Sequence, residues 1–177
     1  MSRDIHRRLA RLETEKGGPE KPWFPMWEMV GGVVLLEDWL AAYGFSDPLA
    51  ALRAGVPGAG LEYVALQWWL ETNGHTSAGE AVTAGALDEV PPELESELRE
   101  RAFADYHGMA RDAALGKGEF REMFLPPPED VDELHRLRQR SDSPPEDASL
   151  FRMRELAQRI VEAARKQHRR APWRTSQ

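Results

Sequence analysis

Apolar residues in this chain return at every third or fourth position and show no sustained alternation, and that rhythm constrains the fold more than any other feature. The clearest case follows Pro91-Pro92, where Leu94, Leu98, Ala102, Tyr106 and Ala110 recur at intervals of four, with Phe103 and Met109 alongside. Side chains so spaced share one face of a 3.6-residue helix, whereas a half-buried strand needs period two. The stretch predicts a long helix to about Leu115, stopped at Gly116. The same reading places a helix over Met26–Tyr43, with Val30, Val33, Trp39, Leu40 and Tyr43 as its apolar face and Gly44 as its stop. Gly31 and Gly32 within it each cost about 1 kcal/mol of helix propensity. Asp47-Pro48 opens a short helix ending at Gly55, in the roles of N-cap and first helical residue. Leu61–Asn73 is apolar on most sides, as a central helix would be. Ser77 and Glu80 form a capping box for a weak helix to Ala84. Further turns are expected over 119–124 and 132–139. Ser143-Pro-Pro-Glu146 reads as a second capping box for a final helix running to about Arg169. No internal repeat is apparent in this reading. The expected fold class is all-α, an irregular helical bundle with helical N- and C-terminal arms.

Charge divides the chain. Residues 1–16 carry a net +2, residues 17–150 a net −15, and residues 151–177 a net +6. With the proline and glycine runs, this gives an N-terminal helical arm (1–16), a linker (17–25) and an acidic helical body (26–125). A proline- and charge-rich linker with a short helix (126–146) follows, then a basic amphipathic helix and tail (147–177). In the linker GGPEKPWFP, Trp23 and Phe24 are expected to pin the segment onto the body rather than stand in water. The arm puts Ile5, Leu9 and Leu12 on one stripe, flanked by Arg3, Arg7, Arg8 and Arg11. A helix of two heptads is marginal alone, so this stripe calls for a partner.

Several chemistries are excluded or unsupported. Without cysteine there is no disulfide scaffold, thiolate metal site or cysteine nucleophile. Residues 1–16 lack the apolar core of a secretory signal, and the longest nearly apolar run, Met29–Leu36, is far shorter than the ~20 residues of a membrane span. A cytoplasmic protein is expected. The five histidines are scattered. Asp132-x-x-His135 has a chelating spacing without a second pair, Gly74 separates Glu71 from His75, and Asp105 and His107 point apart on a helix. Gly58 and Gly60 belong to no phosphate-binding pattern. No catalytic, cofactor-binding or metal-binding set is assigned. Trp27, Trp39, Trp68 and Trp69 are read as core. The two short helices, 46–55 and 77–84, make a poor helix-turn-helix, since the second has no Arg, Lys, Asn or Gln to read bases.

The C-terminal helix carries the strongest suggestion of function. Met153, Leu156, Ala157, Ile160 and Ala164 line one stripe, and basic residues cover the rest. The leading reading is a non-enzymatic adaptor or assembly protein, of the kind that phages and other mobile elements encode by analogy of size and layout. It would self-associate through Ile5, Leu9 and Leu12 or through Met153, Leu156 and Ile160. The runner-up is a nucleic-acid-binding accessory protein that engages polyanions with Arg165, Lys166, Arg169, Arg170 and Arg174. A third reading is an enzyme assembled from dispersed residues such as Glu100, Asp105, His107 and His135. No cofactor is expected in the first two.

Overall fold

The computed structural model describes residues 22–120, 128–139 and 143–170, apart from the side chains of Pro128, His168 and Arg170. Within them the chain is all-α, with eight α-helices, two short 3-10 turns and no strand. The helix expected over 2–16 lies outside the described residues. No described helix is long and apolar enough to cross a membrane. The chain forms two compact units. Unit 1 takes the residues up to Gly74 together with Pro91–Leu94, and unit 2 takes His75–Val90 and the residues from Glu95 onward. The division falls inside the stretch 26–125.

Unit 1 contains α1 (Met26–Val30), α2 (Leu36–Tyr43), α3 (Pro48–Arg53) and α4 (Leu61–Thr72). The single helix expected over Met26–Tyr43 is therefore broken in two. Gly32 adopts φ +71°, and the N–H groups of Val33 and Val34 both return to the carbonyl of Glu28 instead of continuing the ladder. Leu35 is extended and starts α2 afresh. The core of this unit gathers around Trp39. Phe24 meets it edge-on at 5.2 Å, Tyr43 lies at 5.5 Å and Phe45 stacks at 5.8 Å, with Leu40, Ala51, Val56 and Leu61 completing the cluster. Trp39 Nε1 donates to the Trp23 carbonyl at 3.0 Å, so the segment before α1 is held by Phe24 and the Trp23 backbone, while the Trp23 side chain, expected to pin it too, is 47% exposed.

Unit 2 contains α5 (Ala78–Thr83), a 3-10 turn (Ala86–Asp88), α6 (Glu95–Ala114), a second 3-10 turn (Gly118–Phe120), α7 (Pro128–Gln139) and α8 (Asp147–Arg170). The principal packing is α6 against α8. Leu98, Ala102, Tyr106 and Ala110 come from one helix, and Leu150, Met153, Leu156, Ile160 and Ala164 from the other, all buried. Two expected starts move. Ser143–Glu146 lies outside α8, because a residue that precedes proline is kept from the helical region. Glu146 takes the cap position, its carbonyl accepting from Leu150 N at 3.0 Å. Helix α7 begins a turn earlier than expected, at Pro128, with Glu129 and Asp130 in its first turn facing the positive helix end.

The structure also exposes a repeat that the sequence reading denied. Residues 39–55 and 69–85, thirty apart, share six identities (Trp39/Trp69, Leu40/Leu70, Gly44/Gly74, Ala51/Ala81, Ala54/Ala84 and Gly55/Gly85). In each copy a helix ends at a left-handed glycine, φ +74° and +75°. An extended N-cap follows, Asp47 or Ser77, whose side chain accepts from the N–H three residues on. A six-residue helix then closes at an Ala-Gly pair. Fifteen of the seventeen paired positions have the same degree of burial. The likeness resides in caps and backbone conformation, which few identities are needed to preserve.

Candidate functional site

Three places in the two units bear on function. The first is the outer surface of α1 and the turn after it. Helix α1 packs Met26 and Met29 against the Trp39 cluster, while Trp27 and Val30, three apart, stay in solvent. Trp27 is 76% exposed, Val30 70%, Val33 59% and Leu35 60%. Trp27 was expected in the core with Trp39. The break at Gly31-Gly32 removes the continuous apolar face that would have buried both. Unit 1 is strongly acidic: Glu28, Glu37, Asp38, Asp47, Glu62 and Glu71 stand against Arg53 alone in residues 22–74.

The second place is α8. Met153, Leu156 and Ile160, which the sequence reading offered for self-association, have no exposed surface and pack within unit 2. The stripe is thus spent on folding. Its basic flank is largely matched by carboxylates of the same unit. Arg152 makes a two-pronged contact with Glu133 at 2.7 Å, Arg159 meets Asp130 at 2.7 Å, and Arg165 meets Glu119 at 3.2 Å. The Arg152 contact holds the Glu133 carboxyl below the usual carboxylate pKa. Lys166 and Arg169 are exposed. Arg174 and the side chain of Arg170 lie outside the described residues, as do Ile5, Leu9 and Leu12.

The third place is a cleft of about 380 Å³ in unit 2, lined by Glu100, Phe103, Ala104, His107, Arg138, Ser143 and Pro145. Helix α6 supplies the first four at the spacing i, i+3, i+4, i+7, which is one continuous helix face. Arg138 comes from the last turn of α7, and Ser143 and Pro145 from the stretch before α8. His107 is only 9% exposed and makes no hydrogen bond or ion pair among the described residues. Its burial foremost, then the charges of Arg138, Arg111 and His135, push its pKa below the ordinary imidazole value. The ring is therefore neutral at pH 7, with one nitrogen to donate and one to accept.

Of the dispersed residues singled out from the sequence, Glu100 and His107 thus meet in one cleft. His135 is exposed on α7 and acts on His107 only through its charge. Asp105 is elsewhere and structural. Its Oδ2 accepts from Gly79 N at 2.9 Å, while the Gly79 carbonyl accepts from Tyr106 Oη at 2.8 Å. A Cβ at Gly79 would lie 3.2 Å from that of Asp105, so the residue's smallness lets α5 approach α6. The sequence reading missed Phe103, Arg138 and Ser143 as partners of His107. The only available signal was the four-residue face of α6, which does not reveal what packs beside it. Among the described residues no group of three or more His, Asp or Glu side chains is placed to hold a metal ion. The chain matches no protein-family model, no curated protein and no solved structure.

Proposed function

We propose that the chain is a non-enzymatic assembly protein that associates with a second copy of itself through unit 1. The exposed apolar surface of Trp27, Val30, Val33 and Leu35 carries this reading. Covering a large apolar side chain contributes about 1.5–3 kcal/mol. Four such groups within nine residues of the chain are more exposed apolar surface than solvation favours. The chain also bears a counterpart. By their spacing Ile5, Leu9 and Leu12 would share one stripe of a helix too short to persist alone, and the arginines flanking them in sequence complement the acidic residues of unit 1. In this reading the N-terminal segment of one copy covers α1 of the next. The working place is the cytoplasm, and the analogues are the small assembly proteins of phages and other mobile elements.

Light scattering on the full chain, on a chain lacking residues 2–16 and on a Trp27→Ser/Val30→Ser chain tests the proposal. The full chain is expected to show a mass that rises with concentration, and both variants the mass of one chain. A full chain that stays monomeric throughout, as it would if the segment folded back on its own α1, overturns the reading. Undiminished association in both variants does so too.

A further inference from the structure

We infer that the cleft between α6, α7 and the stretch before α8 binds a small, singly charged organic carboxylate with a ring or similarly compact apolar body. Three independent observations converge on this. The cleft has room for such a molecule, at about 380 Å³. His107 is nine-tenths buried and lines it, with no hydrogen bond or ion pair to any described residue, so its ring can exchange one with a molecule in the cleft. Arg138 lies on the same lining. Arg138, like Arg136, Arg154 and Arg169, meets no carboxylate among the described residues, whereas Arg99, Arg101, Arg111, Arg152, Arg159 and Arg165 of unit 2 are each paired with one. A guanidinium left without a carboxylate, beside a neutral imidazole, matches a planar carboxylate that takes two parallel N–H groups.

The rest of the lining narrows the class. Phe103, Ala104 and Pro145 are apolar walls for the body of the ligand, and Ser143 adds a hydroxyl. Glu100 places a negative charge on the same surface. Its repulsion grows with ligand charge, which favours a monoanionic carboxylate over a phosphate dianion. Arg111, whose charge also reaches His107, adds positive potential there against Glu100. The site is independent of self-association, since it lies wholly in unit 2.

Benzoate is the probe, with acetate and inorganic phosphate beside it, followed through the ring-proton resonances of His107 in the full chain at pH 7.5. His107→Gln assigns them. Benzoate is expected to shift them saturably in about the millimolar range, acetate and phosphate at least about tenfold more weakly. Arg138→Gln is expected to weaken benzoate about tenfold or more, as loss of a charge-assisted contact does. Arg138 is exposed at a helix end, so this variant keeps its fold, which circular dichroism verifies. Ala104→Trp, which fills the cleft from an exposed helix position, is expected to abolish the shift. The inference is overturned by the absence of saturation with benzoate, by phosphate binding tighter than benzoate, or by unchanged affinity in both variants.

Discussion

Replacing Gly58 with alanine is the most searching test of how unit 1 is built. Gly58 has φ +147°, and a Cβ there would lie 2.6 Å from Phe24 Cβ, 2.7 Å from its carbonyl oxygen and 2.9 Å from its nitrogen. Two of these atoms are backbone, so no change of rotamer relieves the clash. Nor is the backbone free to retreat, because Phe24 N donates to the Pro57 carbonyl at 2.9 Å and the neighbouring Trp23 carbonyl accepts from Trp39 Nε1. Either the turn at 57–58 adopts a strained conformation, costing about 1–3 kcal/mol, or Phe24 leaves a site where it has no exposed surface. The second outcome approaches the ~3–5 kcal/mol of deleting a buried phenylalanine. A loss of about 3 kcal/mol is expected. Gly44→Ala is the control in the same unit: its φ is +74°, yet a Cβ would meet nothing within 4 Å, so only the left-handed backbone is charged, about 1–2 kcal/mol. Urea unfolding followed by tryptophan emission reads both, the midpoints being compared at a common slope. If Gly58→Ala costs no more than Gly44→Ala, the contact of Phe24 with the 57–58 turn does not hold this unit together.

Two further predictions concern unit 2. Arg159→Met keeps an unbranched apolar stem but leaves the Asp130 carboxylate, 4% exposed, without its guanidinium, and is expected to cost about 1–3 kcal/mol. Adding Asp130→Asn is expected to return part of that loss in a double-mutant cycle, and strict additivity of the two would contradict the pairing. His107 bears on pH. Its pKa is lower in the folded chain than in the unfolded one, so the unfolded chain binds the extra proton first. The contribution to stability is complete above about pH 6.5, the unfolded value, and is lost as pH falls from there through the folded value. Thermal melts between pH 8 and 5 are expected to fall less steeply for His107→Gln than for the native chain, and parallel curves would refute the assignment.

The comparison between sequence and structure turns on which interactions are local. Asp47 and Ser77 cap their helices as their side-chain chemistry required, since a cap involves only residues three apart. Gly44 stops α2 in the left-handed form for the same reason. The stripes Leu98–Ala110 on α6 and Met153–Ala164 on α8 are buried because periodicity alone puts them on one face. The repeat lies in those same caps and turns as much as in its six identities. The Ser143 box failed because two prolines in series outweighed its capping chemistry.

What periodicity could not supply was the surface against which each face would rest. Trp27 and Trp39 are the same residue type twelve positions apart, one at 76% exposure and the other at 1%. The cleft likewise depends on Arg138 and Ser143 arriving beside a helix face thirty residues earlier in the chain. Helical class, helix ends and buried stripes follow from the sequence by itself, because hydrogen bonds and side-chain spacing within a few residues decide them. The division into units, the bare apolar surface of α1 and the meeting of Glu100, His107 and Arg138 were decided only by tertiary packing. The hydrophobic effect has no direction: it demands that a face be covered without naming the residues that cover it.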